Sequence, residues 1–155
     1  IRDARLSRGL GDVYKRQSIR GELYMTKVYR LETKVGTLEE GTNGAYRGER
    51  IKESRMPLAD MLLEDAWYST DTHPTPSYDP LLCNIVLTRF SRFAFISMES
   101  LKDWFYIDEA KVEEVRQLGV AKISVYEVEE EYLHIGEQQV IVYADHMTLV
   151  EELEL

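Results

Sequence analysis

The spacing of apolar side chains changes period twice along the chain, and that change limits the folds open to it. From Met25 the run MTKVYRLET alternates, with Val28 and Arg30 on one face and Tyr29 and Leu31 on the other, which predicts a strand. After Pro57 the period lengthens. Leu58, Met61, Leu62 and Ala66 recur at helical spacing, with Asp60, Glu64 and Asp65 as polar positions. Ser97 is a good N-cap for a helix carrying Met98, Leu101, Trp104 and Phe105 on one side, and Glu99 suits the positive end of its dipole. Asp108 caps a second helix with a Val112, Val115, Leu118 stripe, and Gly119 supplies its left-handed stop. Period two then returns in Ile123 to Val128 and Gln139 to Tyr143, joined through Glu129 to Gly136, and Leu149 to Leu155 reads as a closing strand. Leu82 to Leu87 and Phe93 to Ile96 also have strand composition, although the first equally fits a buried helical segment. The class expected is α+β, a mixed, mostly antiparallel sheet packed by two or three short helices.

The punctuation between these elements is informative. Gly36, Gly41, Gly44 and Gly48 break up a stretch that also holds Tyr46, Arg47, Arg50, Lys52 and Arg55, so a flexible loop coincides with a local basic patch. Pro74, Pro76 and Pro80 push their preceding residues out of helical geometry and predict an extended, semi-rigid loop over Ser69 to Pro80. Residues 1 to 17 contain five basic and two acidic side chains and little apolar periodicity. Their composition predicts a disordered basic tail. This opening run also resembles translated sequencing-adapter DNA, which implies that residues 1–24 are a translation artefact and that Met25 begins a single α+β domain, 25–155.

The 155 residues carry 19 Lys+Arg against 28 Asp+Glu, a net charge of -9, and the opening 17 residues contribute +3, so the chain from Met25 carries -12. Such a charge repels phosphate polymers, and DNA or RNA is not an expected partner. From Glu127 to Leu155 there are nine acidic residues and no Lys or Arg. That run fits a solvated strand face, or an acidic docking surface for a basic partner, including the basic patch of a second copy. The apolar runs are too short to span a bilayer and no signal peptide opens the chain, so a soluble cytoplasmic protein is expected. The lone Cys83 excludes an intramolecular disulfide and a cysteine-based zinc site; beside Leu81, Leu82 and Ile85 it reads as an inert buried thiol.

Catalytic signatures are sparse. There is no phosphate-cradling glycine loop, paired-histidine metal helix or nucleophile elbow, and His73, His134 and His146 are scattered. Neither a metal site nor a cofactor is expected. What does recur is an aromatic side chain next to a guanidinium: Tyr29-Arg30, Tyr46-Arg47, Arg89-Phe90 and Arg92-Phe93. Aromatic faces stack bases and Arg offers fork-like donors to phosphate oxygens, so these eight residues are the candidate ligand-binding set for a small nucleotide. The plain alternative is strand alternation, with aromatics inward and arginines outward.

The segments VYRLET, HPTPSYDP, SMESLKDWF, ISVYEV and GEQQVIV together resemble the layout of small bacteriophage-encoded proteins over Met25 to Leu155. Within that group the chain is similar in layout and size to the Thoeris anti-defence sponges. That resemblance implies a homo-oligomer in the infected bacterial host, holding a cyclic ADP-ribose-type or cyclic nucleotide immune signal between subunits without cleaving it. A second set of residues, Tyr46-Arg47-Gly48 and Glu137-Gln138-Gln139, resembles the ADP-ribosyltransferase fold, whose first strand carries Arg or His and whose late strand carries a catalytic Glu. Gln139 stands where the terminal Glu of a Glu-x-Glu pair would be, a departure from the arginine-directed pattern, so this resemblance implies an ADP-ribosyltransferase-like enzyme or a non-catalytic relative that binds an NAD-like ligand. A protein-interaction factor using the acidic C-terminal face is the third reading.

Overall fold

The computed structural model describes residues 24–46, 57–63 and 75–155. Alternation in the first strand, β1 (Met25–Thr33), translates into two buried faces, and the rest of the architecture follows from what covers each. β1 pairs antiparallel with β3 (Ala121–Glu129), which pairs antiparallel with β6 (Met147–Leu153), giving a sheet of order β1-β3-β6. A second antiparallel sheet has order β2-β5-β4, built from β2 (Ser91–Ala94), β5 (Val140–Tyr143) and β4 (Leu133–Ile135). The fold is therefore α+β, and every strand pairing among the described residues is antiparallel.

The two sheets share one bent ribbon. β3 runs through a single 3-10 turn, Glu130–Tyr132, into β4, and β5 runs through another, Ala144–His146, into β6. Since β3 pairs with β6 and β4 with β5, one long hairpin folds over at these two turns. The rings of Tyr132 and His146 stack 3.5 Å apart across the bend. The sheets also meet at the far edge of β1, where Tyr29 and Phe95 exchange two backbone hydrogen bonds of 2.8 Å.

Helices cover the outer face of the first sheet. α1 (Leu58–Leu62), α2 (Met98–Phe105) and α3 (Glu109–Leu118) bury Leu58, Leu62, Leu101, Phe105, Val112 and Val115 against Leu31 and Ile123. Phe95 packs 5.5 Å from Trp104 and edge-on to Phe105 at 5.9 Å. The opposite face, carrying Val28, Tyr126 and Val128, packs against Ala94, Val140 and Val142 of the second sheet. The helix ends are set by local chemistry. The Ser97 hydroxyl accepts from the Ser100 amide, Asp108 accepts from the Ala110 and Lys111 amides, and Gly119 closes α3 at φ 65°.

Several expectations are corrected. Leu82 to Leu87 is not a strand: it turns through Asn84 and bends at Ile85, because Asp79 accepts from the Leu81 amide through its side chain and from the Leu82 and Cys83 amides through its carbonyl, and Val86 and Leu87 join no ladder. Leu82 nonetheless plugs the interior, while Cys83 points outward and is exposed. The Glu129 to Gly136 connection contains the short strand β4. The closing strand begins at Met147 rather than Leu149. The helix expected through Ala66 ends at Leu62, with Leu63 already extended, and residues 64–66, like His73 and the tail 1–23, lie outside the described residues.

Candidate functional site

The eight candidate residues separate into distinct environments. Arg30 and Arg92 point into the protein. Arg30 sits on the face of β1 that meets the second sheet, where its Nε donates to Glu32 at 2.9 Å, one terminal nitrogen to the Phe93 carbonyl at 3.0 Å and the other to Asn43 at 3.3 Å. Glu32, fully buried, also accepts from the Ser124 and Tyr126 hydroxyls, each at 2.7 Å. Burial and the Glu32 carboxylate raise the Tyr126 phenol above its ordinary value, so it stays a donor.

Arg92 is consumed by main-chain oxygens: Leu38 and Glu39 at 2.9 Å, Arg89 at 2.7 Å and Ser91 at 2.8 Å. Desolvation, and then the nearby Arg30 charge, lower its pKa. The glycine-rich loop makes room for these guanidinium groups. A Cβ on Gly44 would lie 2.9 Å from an Arg30 nitrogen, closer than a side chain tolerates. This reverses the simple alternation rule, because the arginines go inward while Phe93, between Arg92 and Ala94, faces out.

Tyr29 packs on the helical core. Tyr46 lies 6.0 Å from Phe105 and accepts the Trp104 indole hydrogen at 2.8 Å; burial raises its pKa. Arg47 lies outside the described residues. Arg89, Phe90 and Phe93 remain at the surface, and they belong to one exposed segment with Val86, 79% exposed, and Leu87, 49% exposed. A small turn presents its centre: the Thr88 amide donates to the Ser91 hydroxyl at 2.9 Å, the Phe90 amide to the Thr88 hydroxyl at 3.1 Å, and the Ala144 amide to the Phe90 carbonyl at 2.9 Å. On this turn the Arg89 guanidinium stands 4.7 Å over the Phe90 ring. The Leu81 to Leu87 stretch that leads into it is tied down by Asp79, whose carboxylate also accepts from the Glu137 amide at 2.8 Å in the β4-β5 turn.

A polar depression of about 610 Å³ lies where α2 meets α3, lined by Lys102, Asp103, Tyr106, Ile107, Glu109 and Arg116. Its charges are mixed, and Arg116 is held by Glu113 and by the Leu155 carbonyl at 2.8 Å. Gln139 is buried at the start of β5, with its carbonyl accepting from Gly136 at 2.9 Å. Among the described residues, no three His, Cys, Asp or Glu side chains are grouped to hold a metal ion, and no helix is long and apolar enough to cross a membrane.

Sequence reasoning missed Glu32, Asn43, Ser124 and Tyr126. A cue was present, since Glu32 occupies the same strand face as Val28 and must go where that face goes. Against known proteins, the family model described as Bacteriophage T4 Y00F protein matches residues 25–155. No curated protein and no solved structure matches.

Proposed function

We propose, from the premise that this chain belongs to the bacteriophage T4 Y00F family, that it is a phage binding protein whose recognition surface is the segment Val86 to Phe93 and whose partner is a protein. The observation that carries this reading is the exposure of Val86, Leu87, Phe90 and Phe93 around Arg89 on a hydrogen-bonded turn. Aromatic and Arg side chains on a fixed scaffold lose little entropy on contact and dominate protein interfaces. Charge favours a protein over a nucleotide as the partner. A pyrophosphate needs several converging cations on a protein of net charge -9, and internal acceptors occupy Arg30 and Arg92.

A second reading keeps a nucleotide-type immune signal, held without cleavage, and rests on the Arg89-Phe90 pair, where a base could stack beside a cation. One experiment separates the two. A photo-crosslinking residue at Phe93 is tested in phage-infected cells with and without Arg89→Ala, while the purified chain is titrated with cyclic ADP-ribose-type ligands, cyclic dinucleotides and ADP-ribose. A discrete protein adduct, weakened about thirty-fold by Arg89→Ala, which corresponds to a hot spot of about 2 kcal/mol, supports the protein partner. Arg89-dependent nucleotide binding would transfer the site to the second reading, and the absence of both results would remove the segment from consideration.

A further inference from the structure

We infer that β6 is a docking edge for an extended, lysine- or arginine-bearing segment of a partner protein, which adds to the β1-β3-β6 sheet as a fourth strand. On one side β6 is paired with β3, and among the described residues no strand pairs with its other side. β1, at the opposite end of this sheet, is different, because Phe95 and Gly44 each bridge to its outer edge. A bare edge presents a row of unused backbone donors and acceptors, which an incoming strand satisfies.

The side chains of β6 also lack cover. Thr148, Leu149, Val150, Glu151 and Glu152 are all exposed, with Leu149 at 48% and Val150 at 44%. The register slips where Val125 opposes Glu151 and Tyr126 opposes Leu149, so Val150 is an extra residue in the strand. Two adjacent apolar side chains are thereby held at the strand's centre.

Charge identifies the occupant. From Glu127 onward every ionisable acid or base other than histidine and tyrosine is a carboxylate. Lys122 pairs with Glu152 at 2.5 Å and Lys34 reaches Glu154 at 3.7 Å, whereas Glu151 has no ion-pair partner among the described residues. A second copy pairing through the same edge would bring two acidic strands together. A basic strand would place cations beside Glu151 while its apolar residues meet Leu149 and Val150.

The test uses the whole chain and a defined probe, a terminally blocked Lys-Val-Lys-Val-Lys-Val peptide, beside a Glu-Val counterpart and a version with proline at its centre. Amide exchange by NMR reads where binding occurs. The expected result is slowed exchange in β6 with the Lys-Val peptide only, at least tenfold weaker binding after Glu151→Lys, and loss of affinity with added salt. Glu114→Gln, which removes an exposed carboxylate of α3 away from this edge, should leave binding unchanged. Protection located at Val86 to Phe93, equal binding of all three peptides, or no protection of β6 would overturn the inference. So would sedimentation as a dimer that Glu151→Lys alters, because a second copy would then occupy the edge.

Discussion

Replacing Arg30 by Met tests whether the ionic cluster between the sheets is essential to the fold or only one way to fill it. Met retains much of the apolar stem but removes donors to Glu32, Asn43 and the Phe93 carbonyl. Glu32 then keeps two neutral donors, Ser124 and Tyr126, in a site with no exposure to water. An uncompensated buried carboxylate costs about 3–5 kcal/mol, so Arg30→Met should destabilise the protein by that amount. Replacing Glu32 as well, as Arg30→Met with Glu32→Leu, removes the stranded charge. The remaining cost comes from the Ser124 and Tyr126 hydroxyls and the Asn43 amide, at about 1–3 kcal/mol for each buried group left unsatisfied, reduced where a group turns toward another partner. The double variant should therefore be less destabilised than the sum of the singles by about 2 kcal/mol or more. Urea unfolding followed by circular dichroism gives all four corners of the cycle. Additive effects, or a loss below about 1 kcal/mol for Arg30→Met, would refute the claim that this pair acts as a buried unit.

Further outcomes are equally specific. Trp104→Ala should cost about 3–5 kcal/mol in chemical denaturation, since the indole packs on Phe95 and donates to Tyr46; a near-neutral result would place it outside the core. Tyr126 has a folded pKa above its unfolded value, so its contribution is complete below pH about 10 and is lost as pH rises beyond it. Tyr126→Phe should flatten part of that alkaline decline in melting temperature, and an unchanged slope would count against it. Burial lowers the His134 pKa, so its contribution is present above pH about 6.5 and falls on acidification; His134→Gln should soften the loss of melting temperature as pH falls below about 6.5, and an unchanged acid slope would count against it. A chain starting at Met25, where the family match begins, should melt within about two degrees of the full chain, and a larger drop would show that the preceding residues pack on the domain.

Local chemistry was readable in advance. Ser97, Asp108 and Gly119 act within a few residues of themselves, so the boundaries of α2 and α3 follow from sequence spacing alone. The facing of Val28 and Arg30 against Tyr29 and Leu31 was legible for the same reason. Composition failed at Leu82 to Leu87, where apolar content hides a series of turns governed by Asp79. It also failed at β4, three residues among acidic neighbours, whose pairing depends on β5. The largest gap concerns the arginines. Arg30 reaches a carbonyl 63 positions away and Glu32 a phenol 94 positions away, and no short window contains either partner. Exposed Arg89, by contrast, has its ring contact in the adjacent residue, where the sequence reveals it directly.

The bent ribbon has a consequence for the order in which the chain assembles. Its tip joins Ile135 to Val140 across a tight turn, so β4-β5 pairing and then β3-β6 pairing zip outward at a small loop-closure cost. β1 must be captured from about a hundred residues upstream, as a register running from Met25 opposite Glu129 to Thr33 opposite Ala121 requires. The expected sequence is an early ribbon followed by late capture of β1, with the buried cluster formed only in that second event. Pulse-labelled amide exchange should protect Val140 to Tyr143 before Val28 to Glu32, and the opposite order would contradict it. Because β3 serves both events, a lesion in β3 should slow folding, whereas one confined to β1 should mainly accelerate unfolding.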